Sequence, residues 1–180
     1  MVHGRHRPNC RNPRYVFGGY TPPSVSAEEP ATAPDGVVVD EVTAATPQVV
    51  AALAVLVREL STSAPALSAV AVEEIVNSPA TVLLVARDGV GGAILGSLTL
   101  VVFSAPTGPR AWIEDVVTTP AARGRGIGAA LVLDALNRAR AAGSRTVDLT
   151  SRPSRQDANR LYVRLGFDQR QTNVYRKTLE

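Results

Sequence analysis

The stretch Pro120-Ala121-Ala122-Arg123-Gly124-Arg125-Gly126-Ile127-Gly128-Ala129 decides how the rest of the chain is read. Before it, Arg110 to Thr118 has strand character. After it, Leu131, Val132, Leu133 and Leu136 set a helical pattern from Ile127 to Ala141, and Gly143 ends that helix. Glycine lets a backbone approach a ligand with no Cβ in the way. The first N–H groups of a helix lack intrahelical partners and lie at the positive end of its dipole. A glycine turn running straight into a helix is therefore an anion cradle, suited above all to phosphate. Arg123 and Arg125 add charge that can be aimed at phosphate oxygens.

Composition narrows the ligand. The 180 residues are 45% hydrophobic but only 4% aromatic, so one core of small aliphatic side chains is expected. A formal charge of +3 hides an asymmetry: from Arg110 onward there are 13 Arg and Lys against 7 Asp and Glu. The half holding the glycine turn is the basic half. Its aromatics (Trp112, Tyr162, Phe167 and Tyr175) are scattered, not interleaved with arginines, which argues against nucleic acid as partner. Cys10 is the lone cysteine and His3 and His6 the only histidines. That excludes a disulfide framework, multi-cysteine metal motifs and a histidine triad in the core; no metal is expected. The longest apolar run, Val90 to Phe103, is interrupted by three glycines and two hydroxyls and falls short of the roughly 18 residues of a membrane helix. The basic N-terminus has no apolar segment behind it, so a signal peptide is not expected and a cytoplasmic protein is the default.

Residues 1–35 read as a disordered tail, with six prolines and a basic set of Arg5, Arg7, Arg11 and Arg14. The domain is expected over 36–180. Val37 to Val39 suggest a first strand. Pro47 to Leu60 has helical spacing with Thr46 as cap, and Pro65 to Val76 suggests a second helix. Thr81–Ala86 and Ala93–Phe103 read as a hairpin around Asp88-Gly89. After the glycine turn and its helix come a short strand at Thr146–Thr150, a helix from Gln156 to Leu165 and one or two strands in Phe167–Leu179. This order predicts a mixed α+β or α/β fold with about four helices.

Two readings of the turn compete. Gly124-x-Gly126-x-x-Ala129 satisfies the dinucleotide fingerprint, and Asp148 lies about 20 residues on, where a ribose-binding acid belongs. That fingerprint belongs in a repeated βαβ series, whereas here an antiparallel meander precedes the turn. In the other register the turn is Arg123-x-x-Gly126-x-Gly128, followed downstream by Ala158-Asn159-Arg160-Leu161-Tyr162-Val163-Arg164-Leu165-Gly166-Phe167. The pair resembles the R-x-x-G-x-G and A-x-x-L-Y-x-x-x-G-F motifs of the GNAT superfamily of N-acetyltransferases, in that family's order and separation. The resemblance covers about Gly36 to Glu180.

The resemblance implies a mostly antiparallel mixed sheet splayed between its fourth and fifth strands. Acetyl-CoA is the implied co-substrate. Its pyrophosphate would lie on the backbone of Arg123, Gly124, Arg125, Gly126, Ile127, Gly128 and Ala129, and its pantetheine arm along the main chain of Val116, Val117 and Thr118. Tyr162 matches the tyrosine that protonates the leaving thiolate; its other reading is a packing residue against Leu165 and Phe167. Glu114 is the candidate general base, on one strand face with Trp112 and Val116, with Asp115 facing the other way beside Ile113 and Val117. Its other reading is a solvated or salt-bridged carboxylate, and many members of the family use a water relay instead of a direct base. The N–H near Val117 is the candidate oxyanion donor. Where the family often has Asn on the CoA arm, this chain has Arg155, which with Arg152 suits either the CoA phosphates, an acidic substrate or plain surface charge. With no cysteine in the core, an amine would attack the thioester directly. The acceptor is a small-molecule or peptide amine, and family members are often dimers. A non-catalytic acyl-CoA sensor is the alternative, against which Tyr162 argues.

Overall fold

The computed structural model describes Pro34 and residues 36–179. The basic arm and the lone cysteine lie outside the described residues. Strand β1 (Val37–Glu41) is followed by helices α1 (Pro47–Leu60) and α2 (Ala69–Asn77). The meander β2 (Thr81–Asp88), β3 (Ile94–Ala105) and β4 (Gly108–Thr118) comes next, then α3 (Ile127–Ala141), β5 (Val147–Leu149) and α4 (Gln156–Arg164). The chain forms two compact units, one through Thr150 and one from Ser151.

Local chemistry explains most boundaries. Thr46 Oγ1 accepts the Val49 N–H at 3.3 Å and Pro47 takes the first helical position, so α1 begins where the cap predicts. The second helix starts later than expected. Ser68 captures the cap, its Oγ accepting the Ala71 N–H at 3.1 Å, and Pro65 to Leu67 stay outside.

In the first unit the strands stand in sequence order β1-β2-β3-β4-β5, antiparallel except for the parallel pair β4–β5. The sheet is therefore mixed and mostly antiparallel, as expected. Directly opposed residues share a face, and the register separates two cores. Leu84, Leu98, Leu100 and Ile113 line one face, toward α3 with its buried Leu131, Val132 and Ala135. Leu83, Val85 and Val117 line the other, packed with Val49, Leu53 and Leu56 of α1 and Val72 and Val76 of α2. Each fully buried aliphatic side chain contributes about 1.5–3 kcal/mol. Arg138 ties α3 to β1 through Glu41 at 2.6 Å while also holding Asp134 at 2.6 Å.

In the second unit, α4 ends at Gly166, whose φ of +84° suits only glycine well. Beyond it the expected strands are absent. Residues 168–179 are all exposed, with Tyr175 at 88%. A strand exists only where a neighbour completes its hydrogen-bond ladder, and no described strand pairs with this segment. No described helix is long and apolar enough to cross a membrane.

Candidate functional site

The glycine turn follows a single 3-10 turn at Pro120–Ala122. Gly124 and Gly126 hold φ of +77° and +78°, the left-handed region in which side chains strain. A Cβ on Gly124 would meet open space, and one on Gly126 would come within 3.0 Å of the Pro34 ring. The left-handed Gly126 is the N-cap of α3, so no side chain caps this helix. The first helical bond runs from the Ala130 N–H to the Gly126 carbonyl. Among the described residues, the N–H groups of Gly124, Gly126, Ile127, Gly128 and Ala129 donate to no backbone carbonyl. Five unused donors therefore stand at the positive end of a 15-residue helix, the arrangement that suits an anion.

The arginine side chains of the turn are occupied elsewhere. Arg123 reaches Glu59 at the end of α1 at 3.4 Å, and Arg125 reaches Asp88 at the end of β2 at 3.2 Å. Neither partner is legible in the local sequence, because the pairs span 64 and 37 residues. Both are solvent-exposed, and such pairs contribute at most about 1 kcal/mol.

The strand leading into the turn divides in two. Ala111, Trp112 and Ile113 pair with Val147, Asp148 and Leu149 of β5, and the ladder stops there. From Glu114 onward β4 has only β3 beside it, so the two strands part as expected. The parting coincides with a bulge. Glu114 opposes Thr99 and Val117 opposes Ser97, so Asp115 and Val116 together face the single residue Leu98. Asp115 absorbs the extra residue at φ +53°, unusual for a residue with a Cβ.

The bulge corrects the expected alternation. Val117 turns to the α1–α2 face that Trp112 and Glu114 occupy, while Ile113 stays on the α3 face and Asp115 projects to solvent. One inserted residue reverses the parity of every later position. Glu114 is exposed, and its Oε1 accepts the Trp112 indole N–H at 2.7 Å, which orients the carboxylate. Val116, Val117 and Thr118 thus form a strand segment with a bulge at its base and no β5 partner on the far side.

In the second unit, Tyr162 is half-buried on α4 and meets Phe167 edge-to-face at 5.9 Å between ring centroids, which supports its packing role. Burial raises the phenol pKa above its ordinary value, with the nearby Arg155 charge acting the other way. The group therefore holds its proton through the neutral range. Arg155 is the N-cap residue of α4, and Asn159 Nδ2 donates to the Arg152 carbonyl at 3.0 Å, bracing the loop that carries both arginines. Asp148, the acid of the dinucleotide reading, sits within the short β5 ladder opposite Trp112.

Solved structures of similar fold agree with this architecture. A Trypanosoma brucei acetyltransferase is 25% identical with a TM-score of 0.65, over 79% of this chain and 99% of that one. A transcriptional regulator from Bacillus halodurans C-125 is 28% identical with a TM-score of 0.68, over 79% of this chain and 99% of that one. AAC(6')-Iy, solved with the bisubstrate analog CoA-S-monomethyl-acetylneamine, shares the fold at 16% identity and a TM-score of 0.64, over 79% of this chain and 99% of that one. No curated protein matches the chain. Residues 53–167, which include the bulged strand, the glycine turn and Tyr162, match the family model for the acetyltransferase (GNAT) family, and the chain belongs to that family.

Proposed function

We propose that this protein is an N-acetyltransferase that moves the acetyl group of acetyl-CoA to a primary amine by direct attack in a ternary complex. The observation that carries the reading is the row of five unused amides in the glycine turn, reached from a strand that has lost its partner. The amides of Gly124, Gly126, Ile127, Gly128 and Ala129 suit a pyrophosphate, and the open edge of Val116 to Thr118 suits the amides of a pantetheine arm. Family membership and a fold neighbour holding a CoA bisubstrate analog support acetyl-CoA as the donor.

Acetyl-CoA supplies a thioester, whose carbonyl carbon is the electrophile. Glu114 accepts the proton that the attacking amine must lose. A main-chain N–H near Val117 donates to the oxygen on which charge develops. Tyr162 delivers a proton to the leaving sulfur, a role its raised pKa suits at neutral pH. Arg155 supplies positive charge for the CoA phosphates, while Arg123 and Arg125 contribute through their main chain, their side chains being paired with Glu59 and Asp88. The acceptor is read as a small-molecule or peptide amine, and the protein as a cytoplasmic homodimer, whose mass sedimentation would report.

Titration calorimetry tests the donor. Acetyl-CoA should bind, CoA should compete for the same site, and NAD(H) should not displace either. Binding of NAD(H) in preference to acetyl-CoA would overturn the reading.

A further inference from the structure

The glycine turn is held only weakly by its own backbone. Arg123 and Arg125 donate their N–H groups to the Pro120 and Ala122 carbonyls at 3.3 Å each, at the long end for such a bond, whereas the first bond of α3 is 3.0 Å. Gly124 and Gly126, both left-handed, flank Arg125. Glycine loses more conformational freedom on ordering than any other residue, and this turn carries three of them between 124 and 128. An anion meeting a loose turn would have to offset that entropy from its own binding energy. Contacts from outside the turn hold it instead.

Two carboxylates reach it from different elements. Arg123 meets Glu59, in the last turn of α1, and Arg125 meets Asp88, the last residue of β2. Both acids are anchored. Helix α1 buries Val49, Leu53 and Leu56, while Asp88 stands opposite Val37 and donates its N–H to the Ala93 carbonyl at 3.0 Å. The two pairs grip the turn on either side of Gly124. Pro34 closes against the next left-handed residue, a ring carbon lying 3.0 Å from where a Cβ on Gly126 would stand. We infer that Glu59 and Asp88 are positioning residues for the anion site, keeping its five free amides aimed together, through Arg123 and Arg125, before the ligand arrives. This rests on the acetyl-transfer reading, in which those amides take the pyrophosphate. The opposite role would have the opposite sign: a carboxylate that only occupied an arginine or repelled a phosphate would weaken binding. The spacing favours holding. Alternate residues of the turn are tied to two packed elements, and Gly124 between them is the residue least able to fix itself.

The test is titration calorimetry on the full chain with two ligands, acetyl-CoA and inorganic pyrophosphate. Glu59→Gln and Asp88→Asn should each raise the Kd of both ligands about two- to fivefold, the range open to an exposed ion pair. Arg123→Gln should give the same loss as Glu59→Gln, and combining the two should add nothing. In the free protein the Arg125 and Ala130 amides should exchange with solvent faster in both acid variants, a local loosening without ligand. Unchanged or tighter binding in Glu59→Gln and Asp88→Asn overturns the inference and leaves acetyl transfer standing. A further loss on adding Arg123→Gln to Glu59→Gln would put that guanidinium on the phosphate and overturn it as well. If the wild type binds pyrophosphate but not acetyl-CoA, the acetyl-transfer reading falls and the variants' pyrophosphate Kd decides the inference. Binding of neither ligand overturns both.

Discussion

The two halves of one strand, β4, do different work. Ala111 to Ile113 lies between two strands and places Ala111 and Ile113 in the core. Glu114 to Thr118 has one neighbour, a bulge and a left-handed aspartate. The first half contributes stability through side chains buried on the α3 face. The second half gives up a ladder and accepts local strain, and in return presents main-chain groups at the entrance to the glycine turn. A sheet edge is usually a liability to be covered; here the free edge begins where the anion cradle is approached.

Substitutions at three positions probe this division, beginning with the largest effect. Ile113→Ala should cost about 2–5 kcal/mol in urea unfolding, because it opens a cavity in a closed core. A loss below 1 kcal/mol would mean that the paired half is not the structural half. Tyr162→Phe probes a side-chain role against the main-chain role of the open half. It should lower turnover about 100-fold, in the range of general acid catalysis, with acetyl-CoA affinity unchanged. Since burial raises the phenol pKa, the alkaline limb of the wild-type rate should lie above the ordinary tyrosine value of about 10 and vanish in Tyr162→Phe. The sign for stability follows: the unfolded phenol loses its proton first, so this group's contribution declines as pH rises past about 10. Unchanged turnover would remove Tyr162 from the chemistry. The smallest effect is at Asp115. Relief of its positive φ by Asp115→Gly should raise stability by up to about 1 kcal/mol, whereas Asp115→Val should lower it. Equal unfolding midpoints for the two variants would show that the bulge stores no strain.

What could be read from the chain depended on how local the cause was. Helices α1 and α3 begin and end where Thr46-Pro47, Gly126 and Gly143 say, because caps and left-handed glycines act within one turn of chain. The start of α2 differs from the expected Pro65 for a related reason: the Ser68 hydroxyl satisfies the Ala71 N–H as N-cap, which a proline side chain cannot do. The partners of Arg123 and Arg125 were invisible, since the carboxylates of Glu59 and Asp88 come near only when the sheet forms. The terminal strands expected in Phe167–Leu179 failed because β-propensity describes a residue's fitness for a ladder and does not supply the neighbouring strand. The dinucleotide match has a structural basis as well. β4, α3 and the parallel β5 make one βαβ unit, and a short motif cannot tell one such unit from a series of them.

The glycine turn, the helix behind it and the motif pair that marks the family are legible in the local run of residues. These follow from glycine conformations and helix-end dipoles that need no distant contact. Which way Val117 faces and where β4 loses β5 depend instead on how the strands come together. A single extra residue in β4 reverses the parity of all that follow, and whether a strand is bulged depends on its register with the next strand, which no run of residues in β4 alone specifies.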